Sequence, residues 1–253
     1  MTADEIFSYL CTFAPLETQM SFDNSGFLVG DRQAKVKKVL LALDVTGDVI
    51  DEAQTVGAQL IVSHHPLIFF PIKSLVRGDP TSDKLIRLIK ADISVICMHT
   101  NLDIAEGGVN DVLLDKLGLH KLGYIDEEHC GRYGELEQEI PLEAFLKKCE
   151  SALHVRGLRY VGSRNVKRVA VLGGAGADEV RFAADKGCDT FVTADVKYHD
   201  FLDAEERGLN LIDADHFCTE NPVIPALRDK LAAAFPQVEF TISKRHQQRI
   251  NSL

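Results

Sequence analysis

With 253 residues, the chain can form one large domain or two ordinary ones around a sizeable core. Its hydrophobic share of 45% and charged share of 26% are those of a soluble globular protein. Against 38 acidic residues stand 28 basic ones; this formal charge of −10 excludes a general nucleic-acid binder and a polybasic membrane adhesive. Cys11, Cys97, Cys130, Cys149, Cys188 and Cys218 are scattered without a CxxC pair, which suits a reducing compartment. No basic region leads into an apolar stretch at the start, and no apolar run approaches the ~20 residues of a membrane span, so a cytoplasmic location is expected.

In chain order, Thr2-Ala3-Asp4-Glu5 predicts a capping box opening a helix that ends before Pro15. Phe22 to Gly26 is turn chemistry. Val36 to Asp44 reads as a strand, Gly47 to Val56 as a helix and Ala58 to Ser63 as a second, buried strand. This βαβ unit delivers His64 and His65 to a strand's C-terminal end, where open α/β sheets place their ligands. Neighbouring side chains of an extended segment point to opposite sides, so the two histidines should diverge. A helix near Ser82 to Lys90 and a strand from Ile93 to Met98 lead into His99-x-x-x-Asp103. Another helix ends near Gly118, and 120–140 is polar and irregular, with a hairpin-like stretch from Gly131 to Gly134. Pro141 opens a helix carrying Phe145, Leu146 and Cys149.

The pattern then returns. Sliding Val36–His65 by 130 positions lays it on Val166–Asp195 without a gap, with strand, helix and strand in register. A shift of 117 superposes His99 on His216 and Asp103 on Glu220. Helices near Val109 and Pro222 follow, and Val238 to Ser243 is a last strand.

Three strand ends therefore offer His64 with His65, His99 with Asp103, and His216 with Glu220. Imidazole with carboxylate is the ligand set of Zn, Mn, Fe, Co or Ni rather than of Ca or Mg. Two diverging histidines supplied with two carboxylates call for two divalent ions, one carboxylate bridging them. Such pairs bind a shared water, lower its pKa and orient a substrate for hydrolysis. Taken singly, each H-x-x-x-D/E is a capped helix start with a surface histidine; three sets, two of them related by a repeat, favour a metal site.

The stretches FDNSGFLVG (22–30), LALDVT (41–46), LIVSHHPLIF (60–69), MHTNLDIAEGGVND (98–111), VAVLGGAGAD (169–178), VTADVKYHD (192–200) and DADHFCTE (213–220) resemble the Nif-three-like dinuclear-metal proteins, also labelled GTP cyclohydrolase 1 type 2 homologues. The resemblance implies two intertwined, duplicated three-layer α/β/α domains around a two-metal site in the cleft between them, and a homo-oligomer, commonly a hexameric ring. It places the first domain at 1–126 plus 216–253 and the second, inserted, at 127–215. The family's metal ligands fall on His64, His65, Asp103, His216 and Glu220, with Glu220 bridging and His99 beside the metals as a proton carrier. The chain departs from the family at Phe22, where tryptophan is common. It also has Thr193-Ala194-Asp195 for TGD, and Asp215 where glycine is usual.

Three functions compete. The first is a two-metal hydrolase, cyclohydrolase-like, acting on a nucleotide or related small molecule. The second is a non-catalytic metal-holding or partner-binding protein. The third, a dinucleotide enzyme, is prompted by Gly173-Gly174-Ala175-Gly176, but a G-x-G-x-x-G needs glycine at 179, where Glu179 would repel a pyrophosphate. Lys197, Tyr198 and His199 either line the crevice or start a helix with Tyr198 and Leu202 inward. The basic cluster Lys244, Arg245, His246 and Arg249 reads as a solvated tail.

Overall fold

A computed structural model describes residues 1–251. The chain divides into two compact units: Met1–Ala105 with Ile224–Gln247, and Glu106–Val223 with the chain from Gln248.

The first unit opens with α1 (Ala3–Phe13), started by a capping box between Thr2 and Glu5. It continues through β1 (Gly26–Val29), β2 (Lys38–Ala42), α2 (Gly47–Val56), β3 (Leu60–Ser63), α3 (Pro80–Lys90), β4 (Ser94–Cys97) and the short α4 (Thr100–Ile104). The second unit holds α5 (Val109–Lys116), β5 (His120–Tyr124), β6 (Arg132–Ile140), α6 (Leu142–Leu153), β7 (Arg159–Val161), β8 (Val166–Ala175), α7 (Val180–Asp185), β9 (Thr190–Ala194), α8 (Tyr198–Glu206), β10 (Asn210–Asp213) and α9 (His216–Glu220). The chain then returns to the first unit through α10 (Val223–Ala234) and β11 (Glu239–Ile242).

Among the described residues the sheets run β1-β4-β3-β2-β11 and β5-β6-β8-β9-β10-β7. Within them lies the duplication that the shift of 130 predicts for β2 and β3 against β8 and β9, extended by a third strand before each segment that the shift of 117 relates: β2, β3 and β4 are parallel neighbours, as are β8, β9 and β10. The repeat reaches further than the sequence pattern. Each triplet carries a short antiparallel strand on its last member, β1 on β4 and β7 on β10. Each of these strands is followed by a glycine with φ near +100° pressed onto the start of its neighbour, Gly30 onto Ser94 and Gly162 onto Asn210. A Cβ at either position would fall under 3.0 Å from that neighbour's backbone, which is the close approach only glycine allows.

Alternation along the strands builds the layers. In the second unit Val169 and Val171 face a core shared with Leu113, Leu114, Phe145 and Cys149 from α5 and α6. Ala170 and Leu172 face the opposite core, with Val180, Ala183 and Ala204 from α7 and α8. Helices thus cover both faces of the sheet. In the first unit Leu40, Ala42, Ile61 and Val95 pack with Ile50, Ala53, Leu85 and Leu88 of α2 and α3. Val39, Leu41, Leu60, Val62 and Ile96 of the same strands are buried as well, so both faces of this sheet are covered too. Among the described residues, no helix is long and apolar enough to cross a membrane.

The stretch 120–140 is more regular than its polarity predicts. β5 and β6 form an antiparallel pair whose turn lies at 125–131, so the Gly131–Gly134 segment largely belongs to a strand. β5 is an exposed edge, which accounts for the missing apolar alternation.

Candidate metal centre

In the first unit, β3 ends at Ser63 and presents His64 and His65. They do not diverge. Their ring centroids are 4.9 Å apart, and a nitrogen from each lies within 4.8 Å of one from His99. The strand has already ended, and the chain turns where Ser63 Oγ donates to the His65 carbonyl at 2.9 Å, so strand alternation no longer governs. His99 sits just before α4, its ring 5.2 Å from that of His64 and 5.6 Å from that of His65. Asp103, buried one turn into α4, brings Oδ1 to 3.7 Å from His64 Nε2. The side chain of Asn101 fixes that short helix by donating to the Ala14 carbonyl.

In the second unit, α9 brings His216 Nε2 to 3.2 Å from Glu220 Oε2. A cation about 2.1 Å from each of two donors in tetrahedral geometry holds those donors about 3.4 Å apart. Both observed separations bracket that spacing.

The four histidines share a second property. Nδ1 of His64 lies 2.9 Å from the Met98 carbonyl, that of His65 2.8 Å from Asp44, that of His99 2.7 Å from Asp23 and that of His216 2.8 Å from Asp195. A carbonyl or a carboxylate can only accept, so each Nδ1 carries the proton and each neutral ring has its lone pair on Nε2. Metal-binding imidazoles are oriented in this way, by a carboxylate or carbonyl on the other ring nitrogen. The donor set therefore fits divalent cations of the zinc type.

From sequence, Asp44 at the end of the first strand is either a support for the histidines or simply a cap, and Asp23 and Asp195 are not marked as orienting residues. Asp23 lies in what reads as a turn, and it ties His99 Nδ1, the Thr100 amide and hydroxyl, and Ser25 Oγ together. Burial alone would raise its pKa, but the hydrogen bonds from His99 and Thr100 hold its carboxyl well below the usual carboxylate range. Asp195 was aligned with His65 by the repeat, which was the available signal.

The glycine-rich turn serves the same site. Gly174 has φ +68°, and a Cβ there would lie 2.2 Å from Glu220 Oε1. The amides of Gly173, Gly174 and Gly176 donate to Asn110 Oδ1, Thr219 Oγ1 and Thr193 Oγ1 at 2.7, 3.0 and 3.0 Å. Those amides are engaged within the fold, so the turn is not built to cradle a pyrophosphate.

Asp215 takes a positive φ of 67°, caps α9 by accepting the Cys218 amide, and receives Gln248 Nε2 on both carboxylate oxygens. Its carboxylate is thus committed to local structure. Cys218 packs in the core of the second unit, where burial pushes its thiol up to about 12. Tyr198 and Leu202 are exposed rather than inward, at 78% and 43%.

Residues 1–249 match the family described as Duf34/NIF3 (NGG1p interacting factor 3). A Clostridium perfringens protein named GTP cyclohydrolase 1 type 2 homolog is 38% identical, over 96% of this chain and 97% of its own length. The crystal structure of the Staphylococcus aureus hypothetical protein SA1388 superposes with a TM-score of 0.93 at 30% identity, covering 100% of this chain and 99% of that one. A Bacillus cereus protein related to NIF3 gives a TM-score of 0.92 at 26% identity, over 100% of this chain and 99% of its own. Together with the duplicated fold, these matches show that the chain belongs to the DUF34/NIF3 family.

Proposed function

We propose that the protein binds two divalent cations of the Zn, Mn, Fe, Co or Ni type and is a metal-dependent hydrolase. His64, His65, Asp103, His216 and Glu220 are the ligands in this reading, with Glu220 bridging. The observation that carries it is the common tautomer of the four histidines, each with Nδ1 fixed by an acceptor so that Nε2 offers its lone pair. Bound cations would supply Lewis acidity toward a substrate oxygen and a more acidic water.

The chain's own residues supply positioning and proton transfer. Asp44 and Asp195 hold the rings of His65 and His216. His99, braced by Asp23, is the residue to carry a proton at Nε2, toward a leaving nitrogen or oxygen. Asp23, held ionised by the hydrogen bonds from His99 and Thr100, keeps that ring oriented through Nδ1. A nucleotide or related small molecule is the substrate class, by likeness to proteins named GTP cyclohydrolase 1 type 2 homolog. The same likeness supports a homo-oligomer, the hexameric ring included, and the scattered cysteines support a cytoplasmic setting.

Elemental analysis of protein purified without added metal tests the centre. About two equivalents per chain are expected of a paired-ion site, with a large loss in Glu220→Ala. The metal-replete protein is then screened against nucleotides, phosphoesters and amides, and activity lost in His65→Ala identifies the hydrolase. Silence across that panel, with two metals bound, would leave a metal-holding or partner-binding protein instead.

A further inference from the structure

The C-terminal basic cluster is only partly a solvated tail: Lys244, Arg245 and Arg249 are exposed, whereas His246 is half-buried. Past β11 the chain is clamped to α2 through Glu52, whose carboxylate accepts Ser243 Oγ at 2.5 Å and the amides of Lys244 and Arg245 at 3.0 Å each. Ser243 is buried, and its hydroxyl oxygen in turn accepts the amides of Arg245 and His246. This turn drives the half-buried His246 side chain back toward the end of β2.

There the β2–β11 ladder changes character. Ser243 N–H donates to the Leu41 carbonyl as a strand residue would, but the next available amide, Leu43 N–H, donates at 3.1 Å to Nδ1 of the His246 ring. The Leu43 carbonyl accepts the His65 amide at 2.9 Å, and the following residue, Asp44, holds His65 Nδ1. His246 and His65 are therefore anchored to the two backbone groups of one residue, Leu43. Asp44 and His65 are the charged or titratable groups that act on the His246 ring.

An imidazole nitrogen that accepts an amide proton must carry the lone pair, so neutral His246 has its proton on Nε2. This is the reverse of the tautomer fixed at His64, His65, His99 and His216. A ring in this state has its lone pair taken by Leu43 and cannot serve as a ligand, but its Nε2–H is a donor function on a ring anchored at Leu43, the residue that precedes the acceptor-only carboxylate of Asp44.

We infer that His246 is a positioning residue of the metal centre: its Nε2–H supports the Asp44 carboxylate, which holds the His65 ring for coordination, and the Glu52 clamp keeps the segment in place. The inference rests on the metal reading above. Carboxylates that orient a metal-binding histidine typically contribute about 10–100-fold to metal affinity, and the support of Asp44 should be felt within that range.

The test is titration of the metal-free full chain with Co²⁺, following its visible absorbance and binding heat. Wild type should bind two equivalents; fewer than one would overturn the metal reading itself and leave no ligand for His246 to support. With two bound, His246→Phe keeps the bulk but loses both ring nitrogens. It should weaken one Co²⁺ site by about 10-fold or more, and change its absorbance spectrum. His246→Gln, which restores a distal donor, should recover affinity to within a few-fold. Should His246→Phe fail to fold, Glu52→Ala releases the same segment without touching the ring and should weaken the same site by a smaller factor. Two wild-type Co²⁺ sites left unchanged in affinity and spectrum by the variants would overturn the inference, as would Phe and Gln variants that behave alike.

Discussion

The two copies of the βαβ unit share a frame and divide the chemistry differently. In the first, β2 leads to Asp44 and β3 to His65, so the orienting carboxylate and the imidazole come from neighbouring strand ends. In the second, the matching positions are Gly174 and Asp195. Asp195 has become the orienting carboxylate for a histidine on α9, and Gly174 has given up its side chain to admit Glu220. The short helices diverge as well. His216 faces its own Glu220, whereas His99 turns to Asp23 and leaves Asp103 to His64. Duplication preserved the backbone scaffold, while the roles of ligand, orienting acceptor and open space moved among equivalent positions.

Exchanging those roles should break the site, and most severely at the glycine. Gly174→Ala puts a methyl 2.2 Å from Glu220 Oε1 at a backbone angle that L-residues rarely adopt. The carboxylate must move, and Co²⁺ titration should show a loss beyond the ~100-fold typical of an orienting residue. Next come the two orienting acids. Asp44→Ala and Asp195→Ala should each weaken metal binding by about 10–100-fold, the first affecting the His65 ligand and the second His216; equal and negligible effects would dissolve the comparison.

A smaller effect on metal is expected at Asp23, which serves His99 rather than a ligand. Asp23→Asn should leave the metal content intact while lowering turnover. Its hydrogen bonds with charge should be worth about 2 kcal/mol of stability. Because the folded pKa is depressed, that contribution is fully present above the ordinary carboxylate pKa and is lost only as pH falls through the lower folded value. Denaturation of metal-free wild type and variant should therefore differ by a constant amount from neutral pH down to about pH 4, and converge in stronger acid.

The parallel triplets were legible because a buried strand writes an apolar run and a βαβ unit spaces those runs regularly; the shift of 130 needed nothing else. β1 and β7 were not legible, since strands of four and three residues at a sheet edge carry no period of their own. The candidate ligands stood out as histidines and carboxylates at strand ends. Their supports did not. Asp23 reads as a turn residue, and His246 lies 203 positions from the amide it accepts, a pairing that only the return of the chain to β2 creates. The approach of the His64 and His65 rings, tilted by 45° to one another, escapes the alternation rule because both residues lie past the end of the extended strand.

That return has a consequence for synthesis. β11 lies beside β2 in parallel register, with Ile242 opposite Leu41. The flank of β2 that β11 covers has no partner strand until the chain through Ile242 has left the ribosome. At about 5–20 residues per second, the wait is roughly 10–40 s. An uncovered edge of this kind is a template for intermolecular pairing. Nascent chains halted before Glu239 should therefore be captured by holdase chaperones or precipitate, whereas chains that have emerged past Ile242 should not.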